Sequence, residues 1–204
     1  MDGVAPRGLG REGCRHPAAA DRGADIEYKD EDGWTALHRA ARNGQEAIAR
    51  LLFDRGADVQ AHCNGNRTAL HVAAENDHEA IAWLLLDHRA DIACKDKGGW
   101  TALHLAACNG QVAAAQLLLD RGSDIECKDS EGWTALLRAA RNGQKSTVRL
   151  LLGRGADIDY RDAEGWTALH RAARNGQEAA ARLDRGADSK AMTWQHDSAA
   201  SQRW

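Results

Sequence analysis

The sequence predicts an all-α solenoid, with helix-turn-helix pairs stacked in one direction and joined by short hairpin or turn connectors. Three observations lead there. The tetrapeptide Thr35-Ala-Leu-His38 recurs at Thr68, Thr101, Thr134 (as Thr-Ala-Leu-Leu) and Thr167, each time 33 residues on. A second marker, Arg22-Gly-Ala-Asp25, recurs in variant form at Arg55, His88, Arg121 and Arg154 with the same 33-residue step, and a last copy at Arg185 arrives two residues early. Finally, 43% of the 204 residues are hydrophobic, but 40 are Ala, with one Phe and two Tyr. That is too little large apolar volume for one thick core. It suits thin layers between many short helices.

Each unit is readable in chain order. Thr35 is a good N-cap for a helix beginning at Ala36, and Asn43-Gly44 stops it, with Gly suited to the left-handed position after a helix. With Leu37 at 0°, Ala40 and Ala41 fall at about 300° and 40° and face inward, while Arg39 and Arg42 face outward. A second helix from about Gln45 to Asp54 carries Ile48, Leu51 and Leu52 at i, i+3, i+4 as one apolar stripe. Gly56 ends it. The polar stretch after Gly56, rich in Asp and Gly, suits a β-turn or short hairpin. Two such helices cannot bury their apolar faces alone, so they must stack on neighbours. The units fall at about 30–62, 63–95, 96–128, 129–161 and 162–190, within an array over 21–190. They are flanked by an N-terminal tail and eroded cap at 1–20 and a tail at 191–204.

The pattern Asp30-x-x-Gly33-x-Thr35-x-Leu37-His38-x-Ala40-Ala41-x-x-Gly44, succeeded by a Leu-rich helix and Gly-Ala-Asp, resembles the ankyrin repeat family. The resemblance covers more than four fifths of the chain in five tandem copies. It implies paired helices in a solenoid, a Thr–His hydrogen bond at the start of the first helix, and a concave binding surface made by that helix and the connector tips. Two departures stand out. The family's usual Pro after Thr is Ala at 36, 69, 102, 135 and 168, which removes a residue that pre-sets φ at the first helical position. Leu137 replaces the His of the fourth copy. The family's hydroxylated connector Asn is also missing: its positions here are Glu27, Gln60, Ala93, Glu126 and Asp159.

Both ends look eroded. Pro17-Ala-Ala-Ala-Asp21 aligns with Arg50-Leu-Leu-Phe-Asp54, losing three large side chains, and Gln177–Asp184 lacks two of three leucines. The two-residue deletion there rotates the downstream residues by about 200° at 100° per residue, predicting a frayed second helix in the last unit and an unstructured tail from 189. The chain reads as a fragment, or a short relative, of a longer array.

The outward positions of the first helices, read down the stack, are Arg39/Arg42, Val72/Glu75, Leu105/Cys108, Arg138/Arg141 and Arg171/Arg174. The residue before each Thr is Trp34, Arg67, Trp100, Trp133 or Trp166. Together they predict a groove with a Trp ladder beside Arg pairs and a more apolar centre. Trp and Arg dominate binding hot spots, so the groove is expected to hold a protein segment that is acidic or mixed acidic-apolar. The competing reading is inheritance: residues 33–47 and 165–179 are identical, and a recent duplication copies exposed residues whether or not they are used. Trp83 replaces Arg50 on the second helix and points outward.

Other functions find less support. The net charge of −3 argues against a broadly basic nucleic-acid binder. The basic ladder Lys29, His62, Lys95, Lys128 and Arg161 runs beside Asp30, Asp96, Asp129 and Asp162, so it reads as a solvated face. His38, His71, His104 and His170, one per unit, lie about 10 Å apart, too far to share zinc. The longest apolar run, Ala80–Leu86, is too short for a membrane span. Five cysteines without a signal peptide favour free thiols in a cytoplasmic or nuclear setting. No catalytic motif appears, and no cofactor or metal is expected. The expectation is a monomeric, non-enzymatic protein-binding module. The alternatives are a sensing array split from a larger signalling or NTPase protein, and an adaptor that targets a kinase or ubiquitin ligase.

Overall fold

The computed structural model describes residues 25–176. Among them are nine α-helices and no strand: α1 Ala36–Asn43, α2 Glu46–Asp54, α3 Ala69–Glu75, α4 Glu79–Asp87, α5 Ala102–Asn109, α6 Val112–Asp120, α7 Ala135–Arg141, α8 Lys145–Gly153 and α9 Ala168–Arg174. Odd-numbered helices stack on one another as an inner layer, α1 on α3, α3 on α5, α5 on α7 and α7 on α9, and the even-numbered helices form an outer layer. The chain is an all-α solenoid. The eroded cap, the frayed second helix of the last unit and the terminal tails lie outside the described residues.

Helix starts conform to the sequence. Thr35 is extended at φ −83°, ψ 169°, and the bare Nδ1 of His38 lies 3.3 Å from the Thr35 N–H and 2.9 Å from its hydroxyl. His38 Nε2 is 3.0 Å from the Arg67 carbonyl in the next unit. A carbonyl only accepts, so Nε2 carries the proton and Nδ1 is the acceptor. His71 and His104 repeat the arrangement, reaching the Trp100 and Trp133 carbonyls at 3.0 Å. Each ring thus starts its own helix and ties it to the next tip. Burial lowers the pKa of all three rings. Leu137 has neither link; Thr134 Oγ1 accepts only the Leu137 N–H, at 3.5 Å.

The core is thin and Ala-rich. Leu37, Leu70, Leu103 and Leu136 pack with the paired alanines 40/41, 73/74, 106/107 and 139/140, while Leu85, Leu118 and Leu151 close the outer layer. The predicted stripe of the first outer helix is only partly covered: Ile48 and Leu51 are 41% and 42% exposed, whereas their counterparts Ile81 and Leu84 are 1% and 6% exposed. The cause is position. The preceding helix pair covers α4, and no described helix precedes α2 except its own partner α1.

The second unit departs from its neighbours at every left-handed position. Gly33, Gly44 and Gly56 have φ of 75°, 69° and 85°, and Asn66, Asp77 and Arg89 take the corresponding places at 59°, 59° and 65°. Asn66 and Asp77 gain something in return, since Asn66 Nδ2 donates to the Lys95 carbonyl at 2.7 Å and Asp77 Oδ1 accepts from the Ala114 N–H at 3.2 Å.

Candidate functional site: the tryptophan–arginine ladder

Each connector tip is a tight turn. In the first, Asp30 N–H donates to the Trp34 carbonyl at 3.0 Å and Gly33 N–H to the Asp30 carbonyl at 2.8 Å. The Asp30 side chain then does two jobs. Oδ1 accepts from the Asp32 and Trp34 N–H groups at 3.0 and 2.9 Å, and Oδ2 accepts from Arg39 Nε at 3.0 Å. The Trp34 N–H and the Arg39 guanidinium hold the Asp30 carboxyl below its usual pKa. Arg39 in turn lies over the Trp34 ring, 4.8 Å from its centroid.

The triad recurs as Asp129/Trp133/Arg138 and Asp162/Trp166/Arg171, with Nε to Oδ2 distances of 2.7 Å in both. Burial alone would raise the Asp162 pKa; the Trp166 N–H and the Arg171 guanidinium outweigh it and hold it low. Here the units also interlock. Arg138 lies between Trp100 and Trp133, at 4.3 and 4.5 Å, and Arg171 lies between Trp133 and Trp166, at 4.3 and 4.9 Å. Rings and guanidiniums alternate from Trp100 to Trp166, each cation on the negative face of a ring.

This arrangement divides the expected groove residues. The helical wheel places Arg138 and Arg171 outward, but both are buried, as is Trp133. A wheel counts only the residue's own helix, and the ring of the preceding tip covers these arginines. Val72 and Leu105 are buried too, so the expected apolar centre is part of the core and not of the surface. Both occupy the place of Arg39 in their units. Without an arginine at 105, Asp96 has Arg67 Nε at 4.0 Å across the unit boundary. Arg67 itself pairs with Glu75 at 2.9 Å, so these two expected contact residues neutralise each other.

The remaining residues stay accessible. Arg39, Arg42, Arg141 and Arg174 are exposed, and Trp34, Trp100 and Trp166 are half-buried. Arg42, Arg141 and Arg174 each lie over a ring, 5.6, 5.2 and 5.1 Å from the centroids of Trp34, Trp133 and Trp166. In each it is the guanidinium itself that lies over the ring, and the residue is still exposed to solvent. Between them, Cys108 accepts a hydrogen bond from Asn142 Nδ2 at 2.9 Å, and burial pushes its thiol pKa up.

The role of the aspartates is not apparent from the ladder pattern alone. On the sequence they are counter-charges on a solvated face, but Asp129 and Asp162 are buried anchors. A signal for them does exist: Asp and Arg stand nine residues apart at 30/39, 129/138 and 162/171, and the spacing disappears where Cys63 and Val72 replace both members. The basic ladder beside them is structural in part, since Lys29 Nζ and Lys95 Nζ donate to the His62 and Lys128 carbonyls at 2.8 and 2.7 Å. Trp83 is exposed as expected, with Arg121 5.4 Å from its ring centroid.

Stacked helix pairs with Thr-capped inner helices and turn-shaped tips define a helical repeat protein. The ankyrin-repeat family model matches three times, over residues 18–96, 60–129 and 121–192, and the chain belongs to that family. No curated protein matches the chain significantly. Ankyrin repeats are generally protein–protein interaction modules and are typically non-enzymatic. Among the described residues, no helix is long and apolar enough to cross a membrane.

Proposed function

We propose that the chain is a non-enzymatic binding module that holds an acidic or mixed acidic-apolar segment of a partner protein along its concave face, centred on Arg141 and Arg174. One observation carries this reading: the arginines of the ladder fall into two sets. Arg138 and Arg171 are buried against their own aspartates, while Arg141 and Arg174 are exposed, ring-supported and have no described carboxylate within ion-pair distance. A guanidinium already held over a ring loses less rotamer freedom when it meets a carboxylate. At the other end Arg42 lies over Trp34 in the same way, beside an Arg39 that is exposed but already paired with Asp30, and the half-buried rings of Trp100 and Trp166 supply apolar contact.

The test is capture of partner proteins on the intact chain compared with an Arg141→Glu/Arg174→Glu variant. Both positions are exposed, so the fold survives the change. Loss of the captured proteins at low salt supports the reading, and an undiminished set refutes it. Arg138 and Trp133 are unsuitable probes because their removal disturbs the core.

A further inference from the structure

We propose that the two ends of the described solenoid bind each other in different molecules, α9 of one copy stacking on α1 of the next, so that the chain self-associates head to tail. The ends carry the two halves of an interface already repeated inside the molecule. Leu37, Leu70, Leu103 and Leu136 are 1–2% exposed because the next unit covers them, whereas Leu169 in the same place is 45% exposed. On the facing side, Ala69, Ala102, Ala135 and Ala168 are buried by the unit before them, and Ala36 is exposed. Terminal faces of a soluble repeat array are ordinarily polar. These two keep the apolar character of internal faces, and Ile158, at the end of the fourth unit ahead of Leu169, is exposed as well.

The polar groups match in the same register. Arg39 is 44% exposed, although its counterparts Arg138 and Arg171, in identical triads, are 5% and 6% exposed. Among the described residues, Arg39 has no ring from a preceding tip, and Trp166 has no arginine from a succeeding unit. Applying the internal spacing across the junction places Arg39 of the second copy against Trp166, as Arg171 sits against Trp133. It also places the Trp34 carbonyl of the second copy opposite His170 Nε2, which no described residue accepts from, in the manner of His104 and the Trp133 carbonyl. Internally, Asn142 and Gln144 donate to the Cys108 carbonyl at 2.9 and 3.2 Å. Asn43 and Gln45 of the second copy stand ready to do the same to the Arg174 carbonyl. Residues 33–47 are identical to 165–179, so the second copy offers to α9 the same inner-helix residues that α9 itself offers to α7. A contact between different surfaces does not close on itself, so association continues beyond a dimer.

The experiment is sedimentation of the full chain over a concentration series, with Ala36→Glu and Leu169→Glu variants. Both substituted positions are exposed in the single molecule, so each variant folds. The wild-type mass is expected to rise past the dimer with concentration, and each variant alone to remain monomeric. Mixed together, the variants are expected to form a one-to-one dimer, because each keeps one intact end. A wild-type chain that stays monomeric, its ends covered by its own terminal residues or by another protein, overturns the proposal. So does a variant that still self-associates, or a mixture that does not pair.

Discussion

His38, His71 and His104 are neutral in the fold because Nδ1 must accept from the Thr N–H, and burial lowers their pKa below the ordinary 6.5. A lowered folded-state pKa means the stabilisation is complete above the unfolded pKa and is lost as pH falls through the folded value. The urea midpoint is therefore expected to drop between about pH 7 and pH 5, where histidine titrates; a flat profile through that window contradicts the hydrogen-bond assignment. A second single-residue effect sits at Thr147. It is buried in α8 and its hydroxyl has no partner, in the place that Ile48, Ile81 and Ala114 occupy in other units. Thr147→Val removes the orphaned hydroxyl at constant shape. It is expected to stabilise the chain by about 1 kcal/mol, measured as an upward shift of the denaturation midpoint.

Within each helix pair, much is legible from the sequence. The cap Thr35, the stop Gly44 and the inward alanines are set by contacts within one helix, and the sequence shows those directly. The coverage of Ile48 and Leu51 is not legible, because it depends on what precedes α2. Arg39 and Arg138 make the point more sharply. Both sit in the stretch Gly-Trp-Thr-Ala-Leu, then one residue, then Arg, yet only Arg138 has a ring behind it, supplied by Trp100 one unit earlier. The second unit offers a test on a whole turn. Arg89 closes α4 with φ 65° in the place where Gly56 has 85°, and a side chain there strains the backbone. Arg89→Gly is expected to raise the stability by about 1 kcal/mol, read from thermal or urea unfolding. No gain would mean that the left-handed turn is not strained.

Across the full stack, the ladder is one structure that holds two sets of arginines. Its buried arginines join neighbouring units through shared rings, and its exposed arginines face solvent from the same inner helices. The sequence identifies the Trp and Arg positions but not this division, which arises only when units stack. The division also locates the proposed partner surface. Urea unfolding of Arg138→Ala beside Arg141→Ala decides whether it holds. Removing Arg138 leaves the buried Asp129 carboxylate without its cation, at a cost of about 3 kcal/mol, whereas losing the exposed Arg141 is expected to change stability by no more than about 0.5 kcal/mol. Equal, small effects from the two substitutions would contradict the division of the arginines into a structural and a binding set.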